Sequence, residues 1–420
     1  MKVLCVNCVI SEFGGVEFAA MNLALGLIDR GHEVHFLAAE GQKAQMRPSR
    51  PPEQNDAKVL RGRIRRHYRK FPRIYPLGEQ HGPLRKLVWH FQNLMHPANE
   101  SLFADVLNEV MPDVIILHNI TAVGMNIWRT IRKSEIPCIQ VIHDLSLLCF
   151  NMSRFKAGRQ CPRLCIACRF QKAFRFSLIR GAKNFAFVAP SHATLREIEL
   201  FADLSAWKRV VIPNPNTFLV KPRNVSPLEM PRLLYVGRLD SSKGLEMMLR
   251  AAEIARGSEE FVLDILGTGP LEQHLRSKYA NSQWVKFHGS VDQATVADFM
   301  SHAAVLLVPS LWAETVPGVA VHALWAELPV LGSDIGGIPE HVLNGQTGRL
   351  LPPGDEAAWS AEIARVVKDR LQVVSWSAAC YQAAQKLHPQ AALDSYERLM
   401  REMIADRAAH SGVSVKTIRK

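Results

Sequence analysis

The stretch Leu233-Leu234-Tyr235-Val236-Gly237-Arg238-Leu239-Asp240-Ser241-Ser242-Lys243-Gly244 decides the fold of this chain. Its four leading apolar residues read as a buried strand, Gly237 as the turn that ends it, and Leu245 onward as a helix. The pattern returns at Ala304–Val308, which runs into Pro309-Ser310-Leu311-Trp312-Ala313-Glu314. Further on stands Gly336-Gly337-Ile338-Pro339-Glu340. In an open α/β sheet the carboxyl ends of strands form the ligand crevice. Arg238 and Lys243 at one such end suit phosphate oxygens, and Glu314 at another suits hydroxyls. Together they are what a sugar attached to a diphosphate requires.

Outward from this stretch the alternation continues. Phe261–Leu266, Val285–Phe287 and Val330–Leu331 read as strands, with a helix starting at Gly318. The first half repeats the rhythm. Val3–Ile10, Val34–Ala38, Val114–Leu117 and Cys138–Ile142 read as strands. Val16–Arg30 has helical spacing and stops at Gly31, and Gly124–Lys133 is a second helix. This is βαβ order, which implies parallel sheets covered by helices. Pro213, Pro215, Pro222, Pro227 and Pro231 crowd one short stretch. The spacing therefore predicts a domain over 1–212, a linker over 213–232 and a second doubly wound α/β domain over 233–385. Residues 386–420 are read as a helix and basic tail, frayed from about Val413 and packing back toward the first domain. Arg47–His96, rich in Pro, Arg and His, interrupts the pattern and reads as a mobile insertion.

At 420 residues the chain exceeds one ordinary core. The net charge of +12 is uneven. Met1–Ile212 carries 30 Lys and Arg against 17 Asp and Glu, whereas Pro213–Lys420 carries 21 against 22. An acidic partner for the first half follows, either a membrane surface or a polyanion. The apolar start is short and runs into Glu12, so it reads as a strand and not a signal peptide. No apolar run approaches bilayer-spanning length. A cytoplasmic protein is expected, with its eight cysteines as free thiols or metal ligands. Cys149, Cys161, Cys165 and Cys168 fall within twenty residues and include a CxxC, so a structural Zn²⁺ and buried free thiols both remain open.

Arg61, Arg63, Arg65, Arg66, Arg69, Lys70 and Arg73 form a run without acidic residues, interleaved with Ile64, Tyr68, Phe71 and Ile74. Trp89 and Phe91 follow Arg85 and Lys86. Such interleaving suits an anionic membrane surface, and no nucleic-acid motif accompanies it.

The order Gly14-Gly15-Val16-Glu17, His143-Asp144, Gly237-Arg238 to Lys243-Gly244, Glu314 and Gly336-Gly337-Ile338-Pro339-Glu340 resembles family 4 of the retaining glycosyltransferases, of GT-B fold. Leu266-Gly267-Thr268-Gly269-Pro270 and Asn344-Gly345-Gln346-Thr347-Gly348 fit the same family. The resemblance spans nearly the whole chain and is strongest from Leu233 to Pro353. It implies two Rossmann-like domains facing across a cleft, with a nucleotide sugar donor on the second and a glycan or lipid-linked glycan acceptor on the first. It implies no cofactor for catalysis, because Arg238 and Lys243 neutralise the departing diphosphate. Glu314 and His143 would face the donor sugar, Gly14-Gly15 the diphosphate from the opposite domain, and the loop at Val316 and Gly318 would offer backbone N–H groups.

One position departs from the family. His322 stands where a second Glu, eight residues after the first, contacts the ribose. An imidazole cannot accept from two hydroxyls as a carboxylate can. A retaining glycosyltransferase of surface or exopolysaccharide synthesis, peripheral on the inner face of the membrane, is the expectation. The alternatives are a GT-B nucleotide-sugar epimerase and a non-catalytic scaffold, the latter motivated by His322.

Overall fold

The computed structural model describes residues 1–8, 14–39, 63–71, 96–225 and 229–411. Two all-parallel sheets organise them. The first comprises β1 (Lys2–Val6), β2 (Glu33–Ala39), β3 (Arg65–Arg69), β4 (Val114–Leu117), β5 (Cys138–Val141), β8 (Phe185–Ala189) and β9 (Lys208–Val211). Their order is β3-β2-β1-β4-β5-β8-β9. A separate two-stranded hairpin pairs β6 (Phe155–Lys156) with β7 (Arg159–Gln160). The second sheet comprises β10 (Arg232–Val236), β11 (Val262–Leu266), β12 (Val285–Gly289), β13 (Val305–Val308), β14 (Val330–Ser333) and β15 (Gly348–Leu351). Its order is β12-β11-β10-β13-β14-β15.

Both sheets reverse direction at their first strand, placing β4 beside β1 and β13 beside β10. At such a switch point the adjoining loops diverge to opposite faces and leave a crevice beyond the carboxyl ends. The strands are apolar throughout because helices cover both faces. In the first sheet Leu4, Val6, Ile115 and Leu117 face one cluster with Phe103 and Trp128. Val3, Cys5, Val114 and Ile116 face the other, with Leu23 and Leu27. The period-two alternation therefore builds two cores and not one wet face.

The helix Pro389–Ser411 packs into this second cluster through Leu393, Tyr396, Met400 and Met403. Arg30 pairs with Asp394 at 2.7 Å, and His32 meets Glu397 at 2.5 Å. The end of the chain is thus bound to the first domain, although residues 230–385 intervene.

The Arg47–His96 insertion differs from its reading as a mobile interruption. It supplies β3, which pairs with β2 from His35–Arg65 to Ala39–Arg69. Three of its arginines are answered by carboxylates. Arg63 meets Asp29 at 2.5 Å, Arg65 meets Glu33 at 2.6 Å, and Arg69 pairs with Glu109. Arg61, Arg73, Arg85, Trp89 and Phe91 lie outside the described residues, as does the tail from 412. Among the described residues no helix is long and apolar enough to cross a membrane.

Candidate functional site

The second sheet supplies the charged wall of the site. Past β10, Leu239 is fully buried and anchors the turn. Asp240 caps the following 3-10 turn, accepting from the Ser242 N–H at 2.9 Å, and takes the Arg238 Nε at 2.6 Å. Hydrogen bonds from Ser242 and Arg238 outweigh the effect of burial and hold the Asp240 carboxyl below its usual range. Gly244 adopts φ 71, and a Cβ there would stand 1.9 Å from the Pro309 carbonyl. Only glycine allows this approach. The Leu311 N–H then reaches the Ser242 carbonyl at 2.8 Å, locking the β10 and β13 loops together.

That lock brings Lys243 Nζ to Glu314 Oε1 at 2.6 Å. The same carboxylate oxygen accepts from Ser310 Oγ at 2.6 Å and Trp312 Nε1 at 3.0 Å. Glu314 is 6% exposed, so three donors orient it in a largely dry site. Its Oε2 has no hydrogen-bond partner among the described residues. Gly336, at φ 59, would set a Cβ 2.5 Å from both N and O of Glu314. Its absence lets the β14 loop clasp the Glu314 backbone, with the Gly337 N–H donating to the Glu314 carbonyl at 2.7 Å. Arg238 stays 69% exposed in its side chain at the rim.

The first sheet supplies the facing wall. His143 follows β5, and its Nε2 lies 2.8 Å from Nδ1 of His118, which follows β4. The rings stack with centroids 5.1 Å apart. Burial pushes His143 down to about 4 and His118 well below the ordinary imidazole value. The pair is therefore neutral at neutral pH. Nε2 of His118 is buried without a partner. Asn119 donates its N–H to Asn7 Oδ1 at 3.0 Å and accepts from Thr121 and Cys8. His118, Asn119 and His143 line a small hollow with Gln140, Asp144 and Ser146. His118 and Asn119 were not among the residues singled out from sequence. Their signal was position, since they directly follow the apolar run Val114–Leu117.

The two walls meet. Thr315 Oγ1 donates to the His143 carbonyl at 2.9 Å, and Ser191 Oγ and Thr194 Oγ1 donate to the Thr315 carbonyl at 2.7 and 3.0 Å. Glu340 reaches across to accept from the His192 and Ala193 N–H groups, at the start of the helix His192–Glu199. Lys243, Glu314 and His143 thus border one interdomain cleft.

Other sequence-derived residues are placed differently. Gly14, at φ 112, precedes the helix Gly15–Asp29, whose first turn has no side-chain cap; both glycines are exposed. No hydrogen bond among the described residues ties them to Lys243 or Glu314. Val316 and Gly318 are half-buried, and the Gly318 N–H is already used by the Val316 carbonyl at 3.0 Å. His322 packs against the linker. It is 6% exposed, its Nε2 bonds the Leu219 carbonyl at 2.7 Å, and its ring stacks on Phe218 at 4.6 Å. Burial lowers its pKa. The linker holds this imidazole, so its expected contact with the nucleotide finds no geometric support.

Of the four clustered cysteines, Cys149 and Cys168 are buried, Cys161 is half-buried and Cys165 is exposed. The buried Arg154 guanidinium lies among Cys161, Cys149 and Cys168. Among the described residues no three His, Cys, Asp or Glu side chains are grouped to hold a metal ion, so the zinc reading draws no support from this geometry.

Two Rossmann-like parallel sheets facing one cleft define a GT-B glycosyltransferase. Residues 13–215 match the family described as Glycosyltransferase Family 4, and residues 230–369 match Glycosyl transferases group 1. The chain belongs to this family 4, group 1 class and is a glycosyltransferase. It is 22% identical over 359 residues to an uncharacterized 42.6 kDa protein in the cps region of Klebsiella pneumoniae, covering 84% of this chain and 88% of that one. It is 32% identical over 170 residues to the amylovoran biosynthesis glycosyltransferase AmsK of Erwinia amylovora, covering 38% and 41%. Among solved structures it resembles Anabaena Alr3699/HepE in complex with UDP-glucose, with TM-score 0.66 and 16% identity over 96% of this chain and all of that one.

Proposed function

We propose that the enzyme transfers a hexose from a nucleoside diphosphate sugar to a hydroxyl of a growing surface or exopolysaccharide glycan, with retention at the anomeric carbon. The observation that carries this reading is the Lys243–Glu314 pair at the switch point of the second sheet, with Arg238 at its rim and neutral His143 opposite. The cations stand where a departing diphosphate would need charge neutralised, a role that requires no metal ion. The free Oε2 of Glu314 can accept from a sugar hydroxyl. Neutral His143 can hydrogen-bond the sugar without repelling the cations. The departing phosphate oxygen, held by Lys243 and Arg238, takes the acceptor proton on the same face, as the new glycosidic bond replaces the old one. HepE, solved with UDP-glucose, and AmsK, named for amylovoran biosynthesis, support a UDP-sugar donor and a polysaccharide product. The acceptor is carried on a membrane lipid, which matches the excess charge of the first half.

A thermal-shift screen of nucleotide sugars tests the donor, because a ligand that binds only the folded state raises apparent stability by mass action. At least one nucleoside diphosphate sugar should raise Tm while its free sugar does not. NMR of the product anomer then tests retention. No shift with any nucleotide sugar, or an inverted product, overturns the reading.

A further inference from the structure

A second basic tract emerges once burial is known. Between Asp144 and Glu197 the sequence has 52 residues, ten of them Lys or Arg, and no Asp or Glu. Within it lies the helix Ile166–Leu178. Its inner face buries Cys168, Gln171, Arg175 and Leu178. Its outer face carries Ile166, 85% exposed, and Phe170, 71% exposed, one helical turn apart. With Arg169, Lys172 and Ala173 they line a shallow surface depression. Arg163 and Arg169 are exposed and make no ion pair with a described residue. Lys156, on the neighbouring hairpin strand β6, is exposed as well.

We infer that this outer face of the helix Ile166–Leu178 docks on an anionic lipid bilayer, with Ile166 and Phe170 inserted at the headgroup level and Lys156, Arg163 and Arg169 on lipid phosphates. Two exposed apolar side chains ringed by unpaired cations match that surface in both respects. A folded acidic protein would offer charge without acyl chains to take up Ile166 and Phe170. The β3 tract, chosen on sequence as the membrane segment, fits less well. Arg63, Arg65 and Arg69 are already bound to Asp29, Glu33 and Glu109. Its exposed large apolar group among the described residues is Tyr68 alone. The inference rests on the reading of a lipid-carried acceptor and names the surface that brings the enzyme to it.

The test is co-sedimentation of the full chain with phosphatidylcholine vesicles, with and without phosphatidylglycerol, at low and high salt. Three proteins are compared: wild type, Ile166→Ser/Phe170→Ser, and Arg63→Ser/Arg65→Ser/Arg69→Ser. Wild type should bind only the anionic vesicles and release as salt rises. The helix variant should lose roughly tenfold or more in partitioning, and the β3 variant should bind as wild type. Tm shifts with nucleotide sugar should be equal in all three, which shows the variants folded. Wild-type binding retained by the helix variant overturns this surface and leaves a membrane-bound acceptor standing. No vesicle binding by wild type overturns both, and retention on immobilised double-stranded DNA in that case assigns the tract to a polyanion.

Discussion

The two sheets share one strand order and differ in what stands at their switch points. Beyond β10 and β13 the groups are charged and densely bonded, with Glu314 Oε1 alone accepting three hydrogen bonds. Beyond β1, β4 and β5 stand Asn7, His118, Asn119 and His143, with Asp144 beside them; the histidine pair is neutral at neutral pH, and among the described residues Nε2 of His118 is buried without a partner. Yet the first half carries the chain's whole excess of positive charge. Among the described residues, exposed cations of that half stand on β3 and around the helix Ile166–Leu178. One topology thus carries two kinds of loop, charged and densely bonded in one sheet and built around a neutral histidine pair in the other.

The largest effect expected of any single change is on the charged side. Lys243→Ala and Arg238→Ala should each lower turnover on the order of a hundredfold, about 2.7 kcal/mol of lost transition-state stabilisation. His143→Ala should cost less, since a neutral histidine contributes orientation more than charge. Steady-state kinetics with a folded-state check by circular dichroism measure both. Equal losses on the two sides would erase the contrast drawn here.

Gly336→Ala should come next. Its positive φ and the 2.5 Å approach to the Glu314 backbone leave no place for a methyl group. A loss of about 2 kcal/mol or more in unfolding free energy is expected, together with a raised KM for donor. Urea denaturation and donor titration read the two effects, and a Gly336→Ala enzyme of normal stability would show that the clasp on Glu314 yields freely.

The neutral histidine pair predicts a pH signature. Burial pushes the folded His143 down to about 4 and holds His118 well below the ordinary value, against about 6.5 for an unperturbed imidazole. Between those values the unfolded chain binds more protons than the folded one. These groups therefore favour the folded state fully above pH 6.5, and that contribution drains away as pH falls toward 4. Denaturant midpoints for wild type and His118→Asn should diverge above pH 6.5 and converge in acid. Parallel curves through this window would place the imidazoles in a wetter, chargeable setting.

The smallest expected effect lies at the junction of the domains. Glu340→Gln leaves a weaker acceptor for the His192 and Ala193 N–H groups, costing about 1 kcal/mol as loss of a helix N-terminal partner does. A lower Tm with unchanged donor affinity would separate this latch from the charged site.

Local pattern made much of this legible. Apolar runs of four or five residues identified β1, β4, β5, β10 and β13 because strands buried on both faces require continuous hydrophobicity whatever their neighbours are. Once those runs were placed in βαβ order, the positions of Arg238, Lys243 and Glu314 at carboxyl ends followed. β8 and β9 were not read from the sequence, and neither were His118 and Asn119, because a position just past an apolar run does not by itself separate a cleft residue from a core one. What only the tertiary structure decided depends on partners distant in the chain. Glu340 caps a helix 148 residues away, and His322 is claimed by a linker carbonyl 103 residues away. Asp29, Glu33 and Glu109 neutralise an arginine tract that reads as exposed. Periodicity reports which face of an element is buried. It carries no information about which side chain from another element will fill a hydrogen bond or cancel a charge, because that choice is made by packing.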